Sequence, residues 1–440
     1  MDRLSYLPNE IQNLILSFLP REDAIRARIL SSEWRSAHSS LSKLVFNQSQ
    51  GDYLDNQLRR KFKNFVDQTL VPEGTHIERV SVYVDIDEEV IFSLDLNRWI
   101  LIAVQRNVQD LCLWIVSREP LQLPRAFFTW GTLKNLALHH VHLHISNTTF
   151  SFPMLKYLTL DKVFFYGDEN AMQRLLSVDT CPVLEKLVIL YCSKFHTFIT
   201  CHPRLWYLKL STCQIGVFSL SIPSLRVIDY TGDPLKICSM TLLSLVNATF
   251  QYNAVSFNPP YPIAILSRLN SVCTLIVKTY FIEGISHDEN LLASAAMLSL
   301  RVKHFYCHIF PTLNQYAMVL FFLNCLEGLE TFHINIEELP RDDRLKSLLK
   351  EAYEHDVALV QTRRSIYPTL KRVTIKNFIG TESDIHIARV VIMCARACEQ
   401  LSISFSKQMD PIVQKNIIDE LFMHKIDRNL ALVFPDLDLK

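Results

Sequence analysis

One six-residue pattern recurs through the middle of the chain and constrains the fold more than any other feature. Each copy reads apolar-x-x-apolar-x-apolar, and the copies are VQDLCL at 108, LKNLAL at 133, LKYLTL at 155, LEKLVI at 184, LWYLKL at 205 and LRVIDY at 225. A single short segment of this kind cannot bury its apolar side chains, so neighbouring copies must stack on each other. The pattern therefore predicts a solenoid in which each repeat adds a short strand to a parallel sheet on the concave side.

The first apolar residue of each copy, which we call the anchor, recurs at intervals of 25, 22, 29, 21 and 20 residues. These intervals fall within the period of about 20 to 29 residues that leucine-rich repeats have. Pro153, Pro182, Pro203 and Pro223 each stand two residues before an anchor, and Pro368 precedes LKRVTI at 370 in the same way. Because proline restricts φ and cannot continue a helix, it predicts an extended entry into each strand.

Beyond residue 235 the pattern becomes less regular. LNSVCTLIV at 269, LRVKHFY at 300 and LEGLETFHI at 326 predict further strand-bearing repeats, which helices such as one over 314–326 separate. The sequence thus predicts an irregular repeat array in this region and not a different kind of domain.

The cysteines near residue 190 are explained by the repeat and not by a ligand pattern. Cys192 and Cys213 stand eight residues after their anchors, where two earlier repeats have Val141 and Val163. A buried free cysteine behaves as a small hydrophobe, so this position is predicted to pack one repeat against the next. Cys181 falls at a different offset and matches no metal-ligand spacing.

A connecting helix is predicted within residues 50–80, ahead of the repeats. Four apolar residues fall on one of its faces, namely Phe62, Phe65, Val66 and Leu70. The same segment carries a basic cluster made of Arg59, Arg60, Lys61 and Lys63. Such a cluster could act as a nuclear signal, but a solvated helix face is the favoured interpretation because the rest of the chain is not basic.

The first 45 residues have the helix signals of a small module. A helix begins at Pro8 and has apolar residues at three- and four-residue spacing as far as Pro20, and Asp23 and Ser31 can cap two further short helices. The residues alone are also compatible with an end cap of a larger domain. The motif order LP-x-E-I, I-L-S-F-L-P, D-A-I-R and L-S-x-x-W-R resembles an F-box, particularly the plant form.

The F-box resemblance implies a three-helix module that inserts apolar side chains into a Skp-type adaptor and thereby joins a cullin-based ubiquitin ligase. This sequence departs from the family pattern at Ser32 and Glu33, where a basic pair is usual, and at Arg26 and Arg28, where small polar residues are common. Some matched side chains, Trp34 among them, can equally pack inside the module. The residues that match the adaptor contacts of the family are Leu7, Pro8, Ile11, Ile15, Leu16, Leu19, Leu30 and Trp34.

The C-terminal region predicts a final α/β unit. A strand leads to a turn at Gly380 and a helix from Ser383, and a strand over 401–405, a helix over 410–426 and a last strand over 430–434 follow. With Phe378, Gly380 and Glu382 at the turn, this region resembles the FBD module of plant F-box and leucine-rich-repeat proteins. CPVLEKLVILYC at 181 likewise resembles the repeats of those proteins.

The predicted fold class is an α/β repeat with three parts. These parts are an F-box over 1–45, an irregular leucine-rich-repeat solenoid with the connecting helix at its start over 46–350, and an FBD-like α/β unit over 351–440. No part of this architecture implies a catalytic centre.

The composition disfavours nucleotide binding and recruitment to nucleic acid or membranes. The 440 residues include 45 basic and 45 acidic side chains, so no net charge draws the chain to nucleic acid or an acidic membrane. GxxxxGK[ST], GxGxxG, GxSxG and HExxH are all missing. The 11 scattered cysteines fit a reducing compartment, and no signal peptide or membrane-spanning segment is apparent. We therefore expect no cofactor, no catalytic activity, and a location in the nucleus, the cytoplasm or both.

Two groups of possible metal ligands are interpreted as structural. LHHVHLH at 138 puts His140, His142 and His144 at alternating positions, which would share one face of an extended strand. Three imidazoles on one face could hold zinc or copper, but solvent-facing positions between core leucines are favoured because no thiolate or carboxylate partner is nearby. Cys394 and Cys398 lack a second ligand pair and are assigned to the core.

The resemblance implies a substrate-recognition subunit of a Skp-cullin-F-box ubiquitin ligase. Its expected partners are a Skp-type adaptor, through it a cullin, and an unknown target protein, but neither nucleic acid nor a membrane. A repeat scaffold without a ligase and a small-molecule receptor on the same architecture stay open as alternatives. Target binding is expected on the exposed strand positions, which include Asn135, Ala137, Tyr157, Thr159, Lys186, Val188, Tyr207 and Lys209.

Overall fold

The computed structural model of the chain forms two compact units, Met1–Leu205 and Trp206–Lys440. The structure describes residues 7–8, 11–12, 15, 43–48, 56–71, 77–86, 90–117, 121–145, 149–167, 170–192, 197–213, 215, 217–235, 237–253, 265–286, 301–326, 328–339, 367–407, 409–424 and 429–435.

The first unit is built on a parallel sheet. Six strands follow each other in the order β1, β2, β3, β4, β6 and β8, and the short strands β5 and β7 form a parallel pair of their own. The elements of this unit are β1 (Lys43–Asn47), α1 (Asn56–Leu70), β2 (Arg79–Ile86), α2 (Val90–Gln105), β3 (Asp110–Ser117), α3 (Arg125–Phe128), β4 (Asn135–His139), β5 (His142–His144), β6 (Tyr157–Asp161), β7 (Phe164–Tyr166), α4 (Ala171–Leu175), β8 (Lys186–Leu190) and β9 (Thr197–Thr200).

The second unit repeats this plan with longer connecting helices. Nine parallel strands follow in the order β10, β12, β14, β15, β16, β17, β18, β19 and β20, and β11 pairs with β13. The elements are β10 (Tyr207–Ser211), β11 (Val217–Ser221), β12 (Val227–Gly232), β13 (Ile237–Thr241), β14 (Asn247–Tyr252), β15 (Thr274–Val277), α5 (Thr279–Ser286), β16 (His304–Ile309), α6 (Leu313–Cys325), β17 (Thr331–Ile336), β18 (Arg372–Phe378), α7 (Glu382–Cys394), β19 (Gln400–Phe405), α8 (Pro411–Met423) and β20 (Ala431–Val433).

The repeat pattern sets the core and the strand starts, which confirms the predicted repeat architecture. Each strand begins two residues after its anchor, and neighbouring strands pair without an offset, so Leu136, Leu158 and Leu187 form one buried row. Such a row removes from water the apolar face that a single repeat would leave exposed. All six predicted anchors are fully buried, namely Val108, Leu133, Leu155, Leu184, Leu205 and Leu225.

The array is more regular beyond residue 235 than the sequence indicates. Leu245 is a buried anchor 20 residues after Leu225, and β14 starts two residues later, a repeat that the sequence analysis missed. Its second apolar position is Ala248, whose small side chain weakens the pattern. Val272 and Cys398 are likewise buried two residues before strands. Burial raises the pKa of the Cys398 thiol to about 11, in agreement with its assignment to the core.

The repeat prolines lie in turns and not in extended segments as expected. The amide of the anchor Leu155 donates to the carbonyl of Phe152 over 3.1 Å, and that of Leu184 donates to the carbonyl of Cys181 over 3.2 Å. Pro153 therefore occupies the second position of a four-residue turn, where its restricted φ is favourable. The proline closes the turn that sends the chain into the strand.

Several strands are followed directly by a residue in the left-handed conformation. Seven residues after their anchors, His140, Lys162, Tyr191 and Thr212 have φ values of 56°, 52°, 52° and 51°. The Lys162 amide donates to the carbonyl of Leu190, the last residue of the next strand, over 2.8 Å. This reversal turns the chain out of the sheet, and the next residue points into the core.

The reversal corrects the prediction for LHHVHLH. His140 lies at the bend, and only His142 and His144 belong to the following strand β5, so the three imidazoles do not share one strand face. The left-handed residue had no glycine to signal it. The position after the bend is buried as predicted and holds Val141, Val163, Cys192 and Cys213 in successive repeats.

The connecting helix is confirmed but shorter than the predicted segment. α1 buries Phe62, Val66 and Leu70, and the ring of Phe65 meets that of Phe46 edge-on at 5.7 Å. In the basic cluster, Lys63 contacts Asp95 at 2.7 Å whereas Arg60 and Lys61 are exposed. The cluster therefore presents the solvated helix face that the sequence favours.

The turn before α7 is held by a carboxylate that the sequence analysis missed. One oxygen of buried Asp384 accepts the amides of Ile379, Gly380 and Thr381 at 2.9 to 3.1 Å. The other oxygen accepts a hydrogen bond from the hydroxyl of Tyr316 in α6.

A Cβ at Gly380, where φ is +80°, would lie 2.5 Å from an atom of Ile417. The turn thus requires glycine. The neighbouring Glu382 is exposed.

We expect Leu158→Ala to lower the free energy of unfolding by about 2 to 5 kcal/mol, because it opens a cavity in the buried row. The adjacent Thr159→Ala changes the outward side of the same strand and should cost less than about 1 kcal/mol. Urea unfolding followed by circular dichroism measures both. Equal losses would contradict the assignment of the two faces.

Buried His202 should make stability depend on pH. It lies three residues before Leu205, and its Nε2 lies 2.9 Å from the Leu176 carbonyl oxygen. Burial lowers the pKa of His202 below its ordinary value of 6.5, although this hydrogen bond raises it. The native state therefore favours the neutral ring, so its contribution is complete above pH 6.5 and is lost as the pH falls through the folded pKa.

Phe152 occupies the matching position three residues before Leu155, which makes His202→Phe a suitable test. We expect the unfolding free energy of this variant to decline less between about pH 7 and 5 than that of the wild type, by at most ~1.4 kcal/mol per pH unit. Thermal melts across this range provide the comparison. Parallel pH profiles would show that His202 does not carry the effect.

Candidate protein-binding surfaces

The N-terminal segment has a helical turn where the adaptor-binding helix is predicted. The amides of Ile11 and Gln12 donate to the Pro8 carbonyl at 2.9 and 3.0 Å. Pro8 is exposed, Ile11 is 42% exposed, and Leu7 and Ile15 are half-buried. The four departures from the family pattern lie outside the described residues. So do the remaining predicted adaptor contacts, which are Leu16, Leu19, Leu30 and Trp34.

Each unit also presents a strand face that is separate from its core. We call the outward face of a unit the set of alternate strand residues that point away from the buried anchors. Because the strands pair without an offset, residues at equal repeat positions form rows, such as Asp110, Asn135, Tyr157 and Lys186 in the first unit. The expected exposed positions lie on these faces and are half-buried or exposed, namely Asn135, Ala137, Tyr157, Thr159, Lys186, Val188, Tyr207 and Lys209.

Charged groups on the outward face of the first unit compensate each other. The Arg79 guanidinium lies 2.7 Å from the Asp110 carboxylate, which also accepts a hydrogen bond from the Asn135 amide. On neighbouring strands, the ring of His139 lies 3.2 Å from the carboxylate of Asp161. These pairs leave little charge available for a partner on this part of the face.

An aromatic stack forms the most prominent feature of the same face. The indole of Trp114, 37% exposed, stacks on the rings of His139 at 5.1 Å and His140 at 4.9 Å. The hydrogen bond of His139 to the Cys112 sulfur and then its contact with Asp161 raise the pKa of this imidazole above 6.5, although burial lowers it. The stack places a protonatable ring against an exposed indole. The contact of Trp114 with His139 and His140 was not predicted from the sequence.

We expect the His139 ring to titrate above pH 6.5 and the substitution Asp161→Asn to lower its titration midpoint. The raised pKa means that protonated His139 contributes stability below pH 6.5, which is lost as the pH rises through the folded pKa. Imidazole proton NMR, with assignment by His139→Gln, measures the midpoint. His142 is the control because burial alone lowers its pKa, so Asp161→Asn should leave it unchanged. An unshifted His139 midpoint would contradict the pair.

The outward face of the second unit is rich in histidine across β16 and β17. His304 Nδ1 lies 2.8 Å from the Thr331 hydroxyl, and His308 Nδ1 lies 2.7 Å from a carboxylate oxygen of Glu337. Between these contacts the rings of Tyr306 and His333 stack in parallel with centroids 4.4 Å apart. The two stacked rings, which we call the platform, lie in the centre of the face.

Two cations flank this platform on β18. Arg372 pairs in register with Thr331, and Lys376 pairs with Asn335. Both cationic residues are exposed, and within the described part of the chain neither forms an ion pair. Burial, and after it the charges of Lys376 and Arg372, lower the pKa of His333. Among the described residues, this area therefore has a positive potential that no acidic partner of Arg372 or Lys376 neutralises.

Outside the outward faces, the first unit has an open groove of about 430 Å³. The guanidinium of Arg174 lies 5.5 Å from the centre of the Phe150 ring there. The lining residues are Thr149, Phe150, Gln173, Arg174, Ser177 and Thr180. This groove is open to solvent, so it differs from the closed pocket expected of a small-molecule receptor.

No three His, Cys, Asp or Glu side chains among the described residues are grouped as a metal site would need. Across the same described ranges, no helix has the length and apolar character to cross a membrane.

Comparison with known proteins identifies the family. The model of the At1g61320/AtMIF1 LRR domain matches residues 73–427, and the F-box domain model matches residues 4–44. The repeat match covers most of the chain and coincides with the strands whose anchors form the core. The chain belongs to the family of plant F-box and leucine-rich-repeat proteins.

Relatives in Arabidopsis thaliana carry the same elements in their names. The putative F-box protein At3g58860 is 32% identical over 245 residues, which is 52% of this chain and 51% of the relative. The F-box/FBD/LRR-repeat protein At5g56420 is 31% identical over 195 residues, or 43% and 44% of the two chains. The putative F-box/FBD/LRR-repeat protein At4g00315 is 29% identical over 244 residues, or 53% and 54%. The chain spans about half the length of the curated relatives it matches.

The names of two of these relatives include FBD. In this chain, however, the leucine-rich-repeat match extends to residue 427 and so includes much of the region 351–440 that was predicted to be FBD-like. The strand and helix order of this region follows the expected order, because β18, α7, β19, α8 and β20 alternate. A separate FBD-like unit over 351–440 stays a prediction.

Proposed function

We propose that this chain is a substrate-recognition subunit of a Skp-cullin-F-box ubiquitin ligase and acts in the nucleus, the cytoplasm or both. Its F-box would bind a Skp-type adaptor and through it a cullin, and its repeats would bind a target protein. The observation that carries the proposal is the joint occurrence of an F-box match over 4–44 and a leucine-rich-repeat match over 73–427 in one chain.

The physical effect of such a subunit is proximity. Holding a target beside a ligase-bound ubiquitin carrier turns an encounter between two molecules into a step within one complex, which raises the effective concentration of the reacting groups. In this proposal the chain supplies binding energy and orientation, and its partners supply the covalent chemistry.

Two features of the structure support the two binding roles. At the N-terminus, Pro8 and Ile11 expose apolar surface on a helical turn, which suits insertion into an apolar groove of an adaptor. In the repeats, the anchors and the inward-facing strand residues form the core, so the outward faces can vary and bind a partner without loss of the fold.

We expect the wild-type chain to co-purify with a Skp-type adaptor and the double variant Ile15→Asp/Leu19→Asp to lose it. A charge at a desolvated contact has no partner there, so affinity should fall by about tenfold or more. Co-expression with the adaptor and a pull-down measure the interaction, and circular dichroism confirms that the variant is folded.

The control is Leu243→Asp, which makes one substitution of the same kind at an apolar side chain that is 73% exposed in the second unit. It should retain the adaptor. Failure of the wild-type chain to bind adaptor at micromolar concentration would refute the ligase role and favour a repeat scaffold that binds its partner without a ligase.

A further inference from the structure

We propose that the outward face of β16, β17 and β18 binds an acidic segment of a partner protein. The site consists of the Tyr306 and His333 platform together with Arg372 and Lys376, and we call it the cationic platform. The identification of this partner as the ligase target rests on the proposed function. The binding of an acidic segment does not depend on that function.

The geometry suits an extended peptide. Neighbouring strands lie about 4.8 Å apart, so β16 to β18 present a strip about 10 Å wide. The stacked rings of Tyr306 and His333 lie in the middle row of this strip. On β18, Thr374 pairs with His333 and therefore lies in the middle row. Arg372 and Lys376 are two residues before and two residues after Thr374, so one cation lies in the row on each side of the middle row. A peptide that crosses the rings can place acidic side chains near both cations.

The charge distribution selects the chemistry of the partner. In the first unit Arg79 has Asp110 as its partner, and in the second unit Lys209 has Asp229 at 2.7 Å. Arg372 and Lys376 have no such acid among the described residues, although both are exposed on a strand face. Carboxylates are the complementary group, and guanidinium binds them in a bidentate fashion.

Histidines extend the set of hydrogen-bond donors around the cations. His304 lies on the row of Arg372, and His308 lies on the row of Lys376. Each ring contacts a neighbour through Nδ1, Thr331 and Glu337 respectively. Among the described residues, Glu337 contacts His308, whereas Glu330, which interacts with His304, pairs with Lys303 and Lys371. The platform therefore keeps a net positive charge.

A peptide fits these observations better than nucleic acid. Proteins that hold a phosphate backbone through charge make roughly 6 to 10 phosphate contacts. The cationic platform has two permanent cations, and the whole chain has a formal net charge of zero. Two charges beside an aromatic strip suit a short acidic sequence.

The test uses the full chain and three fluorescent probes of about 12 units each, which is long enough to cross the strip. The first probe is a peptide in which glutamate alternates with serine and glycine. The second has glutamine in place of every glutamate, and the third is a single-stranded RNA. Fluorescence anisotropy gives the dissociation constants. We expect the glutamate peptide to bind about tenfold or more tightly than the glutamine peptide, and the difference to shrink as salt screens the charges.

The variant that removes the site is Arg372→Glu/Lys376→Glu. Both side chains are exposed, so the fold should persist, and a thermal melt verifies this. The variant should lose the preference for the glutamate peptide. The matched control is Arg396→Glu/Lys415→Glu, which makes the same change in net charge at two exposed cations outside the three strands. It should keep the preference.

Three results would each overturn the proposal. They are equal binding of the two peptides, a preference that persists at high salt or in Arg372→Glu/Lys376→Glu, and tighter binding of the RNA than of the glutamate peptide. Adaptor pull-downs on the same preparations separate this question from the ligase role. If the wild-type chain binds the adaptor but does not prefer the glutamate peptide, only the cationic platform is overturned. If it prefers the glutamate peptide but does not bind the adaptor, only the ligase role is overturned.

Discussion

The burial of one anchor residue per repeat is the interaction on which the rest of the structure depends. A strand of five residues with two or three apolar side chains cannot exclude water alone, so it is stable only when the next repeat covers it. Anchors such as Leu155 and Leu184 meet this requirement with complete burial. Because the anchor also sets where each strand starts, the same contact determines the sheet register and the position of every outward side chain.

The register explains how surface chemistry arises in this fold. Equal repeat positions fall in rows, so a residue on one strand meets the residue at the same position on the next, except at the register shift near the end of β18. In the first unit such rows bring Arg79 beside Asp110, which cancels charge. In the second unit they bring Tyr306 beside His333 and leave Arg372 and Lys376 without an acidic partner among the described residues. Similar backbones thus carry surfaces of different chemistry, which suits a protein whose repeats recognise a partner.

The features that could not be predicted from the sequence each have a physical cause. The condition that LHHVHLH is extended throughout does not hold, because His140 adopts a left-handed conformation without a glycine to signal it. The repeat at Leu245 was missed because Ala248 contributes little apolar surface to the pattern. Asp384 was missed although Thr381 and Asp384 have the spacing of a capping box, and its contact with Tyr316 could not be predicted because that residue is far away in the chain. The eight adaptor contacts remain a prediction from the F-box motif.

By itself the sequence determined the repeat period, the buried positions and the F-box motifs, because hydrophobic spacing and motif order are local properties of the chain. It also assigned Cys192 and Cys213 to the core, where the structure places them. Only the tertiary structure decided which side chains meet on the outward faces. Residues such as Tyr306 and Lys376 are 70 positions apart in the chain and belong to one surface only because parallel pairing across β17 brings their strands together.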